Sequence, residues 1–273
     1  MAIITISRQM GTGAYAMAKE LAKKLKYTLI DGSKIAELAQ NYGLTDEILE
    51  RVDEKPPAYI TAEDRLQAAN LSTMELILLD CARNGNVILY GRGAQYLLDG
   101  LPNVLRVRFI APFDERVENF AEREWIDPDL ARELIRKSDH QRGGFIHFYF
   151  DKEWQNPLEY DLVFNTTHLS KSAIVDCIVA AAKDQKLKEA EAEATALLDD
   201  IILRKRVEAE LFKSGEIESL HFKIESVDGT ICLSGHVHTE QEREQAVIIA
   251  SKVKGVEQVE DDLQVINYKP NKE

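Results

Sequence analysis

An apolar, β-branched run, Ile3-Ile4-Thr5-Ile6, opens the chain, and a short stretch holding Gly11 and Gly13 follows it. Apolar residues then recur at Ala18, Leu21, Ala22 and Leu25, the spacing of one helix face. The pattern predicts strand, glycine loop and helix. Residues 27–31 form a short apolar run ending in Asp31 and read as a second strand. Residues 33–80 read as mostly helical, broken at Pro56-Pro57, with one long amphipathic helix over 63–83 that carries Leu66, Leu71, Met74, Ile77 and Leu78. Val87–Tyr90 and Val104–Ile110 are compact apolar strands, and Gly91-Arg92-Gly93 follows the first of them. A helix with Glu115, Arg116 and Arg123 comes next, and Asp127-Pro128 starts another that runs to Arg142. An aromatic cluster from Phe145 to Trp154 follows that helix. Residues 160–165 are the last strand of this block, and Ser170 opens a helix bearing Ile174, Val175, Ile178 and Val179.

Strands alternating with helices predict an α/β fold, a parallel sheet with helices on both faces, over residues 1–182. Residues 183–197 are dominated by Lys, Glu and Ala and read as a charged helical linker. Residues 198–267 form a small α+β unit of order αββαβ. Its marks are a hairpin signal at Asp228-Gly229, a helix capped by Thr239 and a helix stop at Gly255.

Composition narrows the partners. The 273 residues carry a net charge of −13. That excludes a broad basic surface for a nucleic acid polymer, which draws on clustered Lys and Arg. The three cysteines, Cys81, Cys177 and Cys232, lie far apart with no CxxC pair, so neither a zinc site nor a disulfide framework is expected. His236 and His238 flank a strand end, but two histidines without a third ligand read as a solvated turn, and no metal site is assigned. No transmembrane segment is expected, because no apolar stretch reaches the roughly 20 residues that span a bilayer. With no export signal at the start, the expected localisation is cytoplasmic.

Candidate chemistry gathers at strand ends. A glycine loop between a strand and a helix is the setting of a phosphate-binding loop, where amide groups and the helix dipole receive an anion. An ordinary strand–turn–helix fits the same residues. A full P-loop adds Lys and then Ser or Thr after its last glycine; this chain has Ala14 and Tyr15. Asp31 reads equally as a ligand contact at a strand end or as a helix N-cap. Arg92, between two glycines, reads as a phosphate grip or as a surface Arg in a tight turn. Asp139 and Arg142 are three apart and share a helix face.

Several pieces occur in order over residues 1–180. They are Ile4-Thr5-Ile6-Ser7-Arg8-Gln9 with Gly11-Thr12-Gly13, Gly91-Arg92-Gly93-Ala94, Phe109-Ile110-Ala111-Pro112 with Arg116, Asp139-His140-Gln141-Arg142, and Tyr160-Asp161-Leu162-Val163-Phe164-Asn165-Thr166. Together they resemble the cytidylate kinase-like family of nucleoside monophosphate kinases. The resemblance implies a P-loop kinase fold with a mobile lid, ATP and Mg²⁺ as cofactors, and phosphoryl transfer to a nucleoside monophosphate, CMP first. It implies that Ser7, Arg8, Gly11, Thr12 and Gly13 hold the donor phosphates. It places Arg92 on the acceptor's phosphate and Arg123, Asp139 and Arg142 in the lid, which makes these four the candidate catalytic residues; Asp31, from its strand-end position, is a candidate substrate contact beside Arg92. Besides Ala14, one departure stands out: the family's Asp-Gly-Arg-Asp strand end reads Tyr90-Gly91-Arg92-Gly93 here. The second unit resembles a BON domain through residues 228–235 and 253–259, which implies a phospholipid or protein partner. A nucleotide-sensing regulator whose BON domain reports the bound state is the alternative function. A homodimer through the charged linker is a further expectation.

Overall fold

The computed structural model describes residues 2–51, 54, 62–215, 217 and 222–266. The loop expected at Pro56-Pro57 lies outside them. The first block contains β1 (Ile3–Arg8), α1 (Ala14–Leu25), β2 (Thr28–Ile30), α2 (Gly32–Ala39), α3 (Asp46–Arg51), α4 (Ala62–Arg83) and β3 (Val87–Tyr90). It continues with α5 (Ala94–Leu97), β4 (Val104–Ile110), α6 (Phe113–Glu124), α7 (Pro128–Phe150), β5 (Leu162–Asn165) and α8 (Lys171–Ala181). The sheet order is β2-β3-β1-β4-β5 with every pair parallel. β1 lies at its centre with Ile3 to Ser7 buried, which is why its sequence is a continuous apolar run rather than an alternating one. One face packs Ile4 and Ile6 against Met17, Leu21, Ile174 and Ile178. The other packs Ile3, Leu89 and Val104 against Met74, Ile77 and Leu78 of α4. The chain crosses over β1 between β3 and β4, and the carboxyl ends of these strands open the crevice where ligands of open α/β sheets collect.

α7 does not end at Arg142. It runs through Gly143-Gly144 to Phe150 and carries most of the aromatic cluster on its last two turns. Phe145 and Ile146 are buried in the core there. Each such side chain contributes about 1.5–3 kcal/mol, more than the roughly 1 kcal/mol that a helical glycine costs.

The second unit is built from α10 (Glu191–Ser214), reached through the short α9 (Gln185–Glu189), then β6 (Phe222–Val227), β7 (Thr230–Val237), α11 (Glu240–Lys252) and β8 (Gln258–Val265). β6 and β7 pair antiparallel around Asp228-Gly229, and β8 joins β7 in parallel. Thr239 caps α11 by accepting from the Glu242 amide at 3.0 Å. α10 is one continuous helix from the charged segment into the second unit. Leu198 and Ile202 enter the first core, while Leu203, Val207 and Leu211 enter the second. Among the described residues no helix is long and apolar enough to cross a membrane.

An ion cluster sits where α10 lies along α4. Lys205 Nζ bridges Glu75 at 2.7 Å and Glu208 at 2.8 Å. Burial pushes the Glu75 pKa up, and Lys205 only partly offsets it. Lys205→Met removes that offset, so Glu75 rises further above its ordinary 4.5. An acid with a raised folded pKa loses stability as pH rises past its unfolded value. The variant is therefore expected to melt close to the wild type near pH 4 and to fall behind by roughly 1–3 kcal/mol at pH 8. A deficit independent of pH in thermal melts would exclude Glu75 as its origin.

Candidate functional site

The loop after β1 is held from two helices. Gly11 has φ +88°, and a Cβ there would stand 2.5 Å from the Arg116 carbonyl oxygen of α6. The Asp139 carboxylate of α7 accepts from the Met10 amide at 3.0 Å and from Arg116 Nη1 at 2.6 Å. Arg116 also donates to the carbonyls of Met10 at 3.0 Å and Ala111 at 3.1 Å. This clamp fixes the loop before any ligand arrives. No side chain caps α1, and its first turn carries no acid, so the positive end of the helix faces the loop unmasked.

Two pockets flank the loop. The outer one is a cavity of about 510 Å³, lined by Gly11, Thr12 and Gly13 with the cations Arg123 and Lys171 and the acids Glu115 and Glu118, among others. That is a usual size for a small-molecule site. Lys171 opens α8 after Ser170, whose hydroxyl caps the helix by accepting from the Ala173 amide. Its Cε lies 3.9 Å from where a Cβ on Gly13 would sit. A cation therefore stands beside the loop although residue 14 is Ala. Arg123 pairs with Glu124 at 2.8 Å and lies over the Phe120 ring.

The inner pocket holds Glu54. Its carboxylate accepts from Arg8 Nη1 at 2.8 Å, Arg142 Nε at 2.8 Å and the Arg92 amide at 2.6 Å. Burial alone would raise its pKa, but the charges and hydrogen bonds of Arg8 and Arg142 outweigh burial and hold it well below the usual carboxylate range. Arg8 also lies 4.5 Å over the Tyr90 ring. Gly91 has φ +82°, and a Cβ there would overlap Arg8 Nη1 and Glu54 Oε1. Behind this pocket, the Ser7 hydroxyl accepts from Trp154 Nε1 at 2.9 Å and from Arg108 Nη1 at 3.3 Å. Arg108 is only 2% exposed. It stacks on Trp154 at 4.4 Å and donates to the Tyr160 hydroxyl at 3.0 Å.

The residues singled out from sequence divide accordingly. Gly11, Thr12, Gly13 and Arg123 line the outer pocket. Ser7, Arg8 and Arg142 line the inner one, with Arg92 contributing its amide. Asp139 binds the loop and Arg116 across helices, and its Oδ1 is 3.8 Å from Arg142 Nη1 on its own helix. Asp31 is the N-cap of α2, accepting from the Lys34 amide at 2.9 Å, and it also accepts from the Tyr15 hydroxyl at 2.8 Å. It lines neither pocket. Sequence reasoning missed Glu54, Lys171 and the buried Arg108. Lys171 follows a recognisable cap, but nothing local aims it at the loop.

The hydroxyl and carboxylate groups beside the loop are already engaged within the protein. The Thr12 hydroxyl donates to the Gln9 carbonyl at 2.9 Å, and both Asp139 oxygens are engaged. Among the described residues no group of three His, Cys, Asp or Glu side chains could hold a metal.

A parallel sheet with a clamped glycine loop at its centre and arginines gathered beside it defines a P-loop kinase-like protein. Residues 3–168 match the cytidylate kinase-like family, and the chain belongs to that family, one of nucleotide kinases. Residues 199–267 match the BON domain. The chain is 27% identical over 188 residues to the cytidylate kinase of Methanocaldococcus jannaschii, covering 67% of this chain and 99% of that protein. It is 29% identical over 191 residues to the cytidylate kinase of Methanopyrus kandleri, covering 66% and 92%. Among solved structures, an uncharacterised protein from Eubacterium ventriosum aligns with a TM-score of 0.54 and 25% identity, over 66% of this chain and 97% of its own.

Proposed function

We propose that the protein transfers the γ-phosphoryl group of ATP to a nucleoside monophosphate, with CMP as the first acceptor to test. The observation that carries this reading is a pair of pockets after β1, one lined by the glycine loop with Lys171 and Arg123, the other by Arg8 and Arg142. ATP occupies the outer pocket with its phosphates against the loop amides, the start of α1 and Lys171. The acceptor phosphate lies in the inner pocket against Arg8, Arg142 and the Arg92 amide. Phosphoryl transfer needs positioning and neutralisation more than covalent help from the protein, and these cations supply both. Mg²⁺ carried by the nucleotide would supply further charge neutralisation at the phosphates. The likeness to two cytidylate kinases supports CMP. The setting is the cytoplasm, and the BON unit takes a protein or phospholipid partner.

A second reading is nucleotide sensing without efficient turnover. Ala14 stands in the P-loop Lys position, and α10 contributes side chains to both cores, which couples the nucleotide block to the BON unit. One experiment separates the two. The protein is incubated with ATP, Mg²⁺ and each nucleoside monophosphate, ADP and diphosphate products are followed, and binding is measured by calorimetry in parallel. Turnover is expected with CMP. Binding without turnover across all acceptors excludes the kinase reading, and no binding of any nucleotide excludes both. Lys171→Ala is expected to lower kcat/KM for ATP by about tenfold to a hundredfold, with the KM for the acceptor unchanged. An equal loss for both substrates would contradict its place at the donor.

A further inference from the structure

Glu54 occupies the inner pocket as a ligand oxyanion would. Two guanidinium arms and one backbone amide converge on its two oxygens at 2.8, 2.8 and 2.6 Å. Those are the lengths of charge-assisted hydrogen bonds. Arg142 Nη1 is buried without a hydrogen-bond partner among the described residues and forms a long ion pair with Asp139 Oδ1 at 3.8 Å, so it can still donate. A carboxylate presents two oxygens, whereas the phosphate of a monoester presents three and carries more charge. Only about 10 Å³ of space remains around the carboxylate. That is at the lower limit for a single water molecule, so no ligand shares the cradle with Glu54. The arginines are fixed by other contacts. Arg8 rests on Tyr90, and Arg142 lies on α7 one turn from the clamping Asp139. Among the described residues that line this pocket, Glu54 is the one acid, set against Arg8 and Arg142 with Phe145, Ile146 and Trp154 closing the apolar side.

We propose that Glu54 is an internal stand-in for the acceptor's phosphate: it closes the acceptor cradle in the unliganded chain, and an incoming phosphate must displace it. The ligand's identity as a nucleoside monophosphate rests on the kinase reading above, whereas the cradle itself needs only a phosphate oxyanion. A tethered competitor sets a threshold. A weak, singly charged anion does not displace it. A phosphate dianion does, because it engages the same three donors and can also take Arg142 Nη1. The device holds empty protein closed near neutral pH, since Arg8 and Arg142 keep the carboxylate ionised and a proton does not release it there.

The test uses calorimetry on the full chain with inorganic phosphate and, separately, CMP. Wild type is compared with Glu54→Gln and Glu54→Ala. If the closed form makes up about nine-tenths of the wild type, removing it tightens apparent binding by about tenfold. Both variants are therefore expected to bind phosphate about tenfold more tightly. Equal or weaker phosphate binding in both overturns the proposal, whatever CMP does. Tighter phosphate binding with no CMP binding in any of the three proteins upholds the closure and removes the nucleotide reading. Should the variants not fold, hydrogen exchange on the wild type decides. Saturating phosphate is expected to raise exchange in the peptide containing Glu54, and unchanged or lowered exchange overturns the proposal.

Discussion

Gly11→Ala is expected to cost about 3 kcal/mol, read as ATP binding weakened by about a hundredfold where the loop bears it or as a melting temperature lowered by about 6–12 °C where the fold does. Two costs add. The residue stands at φ +88°, where an L side chain carries about 1–3 kcal/mol of strain. Its new Cβ would also lie 2.5 Å from the Arg116 carbonyl oxygen and 2.9 Å from the Arg116 Cβ. Those atoms belong to a helix backbone, so the contact is relieved only by moving the loop. A loss of about 3 kcal/mol is two decades in affinity if the loop bears it. It is about 2–4 °C per kcal/mol if the fold does. Gly13→Ala is the control. It has a similar φ, +72°, but its Cβ would meet only the Lys171 side chain at 3.9 Å. It should cost the backbone strain alone. Calorimetry with ATP and thermal melts of both variants check this, and equal losses would show that contact with Arg116 is not what positions Gly11.

That contact marks the boundary of what the sequence reveals. β1, α1, β3 and β4 are legible because their signals are local: a β-branched run, a helical spacing, a glycine after a strand end. Caps at Asp31, Ser170 and Thr239 are legible for the same reason, since donor and acceptor lie within three residues. The site is assembled from partners that no local pattern relates. Met10 meets Asp139 across 129 positions, and Arg8 meets Glu54 across 46. Glu54 lies near Pro56-Pro57, where the sequence signals only a break. Its role depends on two arginines supplied by β1 and α7. Ser7 stands in the right loop by sequence, yet its hydroxyl turns into the buried network of Arg108 and Trp154. The family resemblance supplied the order of the pieces but gave no sign of an acid inside the arginine cluster.

Asp139→Asn is expected to cost about 3 kcal/mol, the lower end of the range for breaking a buried ion pair from one side because the Asp139 side chain is 19% exposed, and to abolish measurable ATP binding. The change is nearly isosteric, so it isolates charge and donor pattern from volume. Both carboxylate oxygens receive hydrogen bonds, one from the Met10 amide and one from Arg116 Nη1. An amide offers one acceptor and one donor, so one of those N–H groups would face another donor. Arg116, whose side chain is 6% exposed, would keep its charge without its carboxylate. The pair therefore links α6, α7 and the loop, and stability and nucleotide binding fall together. The double variant Arg116→Met with Asp139→Leu separates the two. Removing both charges leaves neither one stranded, so thermal stability should recover by well over half. The loop would still lack the partners of the Met10 amide and carbonyl, so ATP binding should not return. Melts and calorimetry on the two single variants and the double complete the cycle. An Asp139→Asn protein that melts with the wild type, or a double variant that binds ATP normally, would show that the loop holds its shape without this clamp.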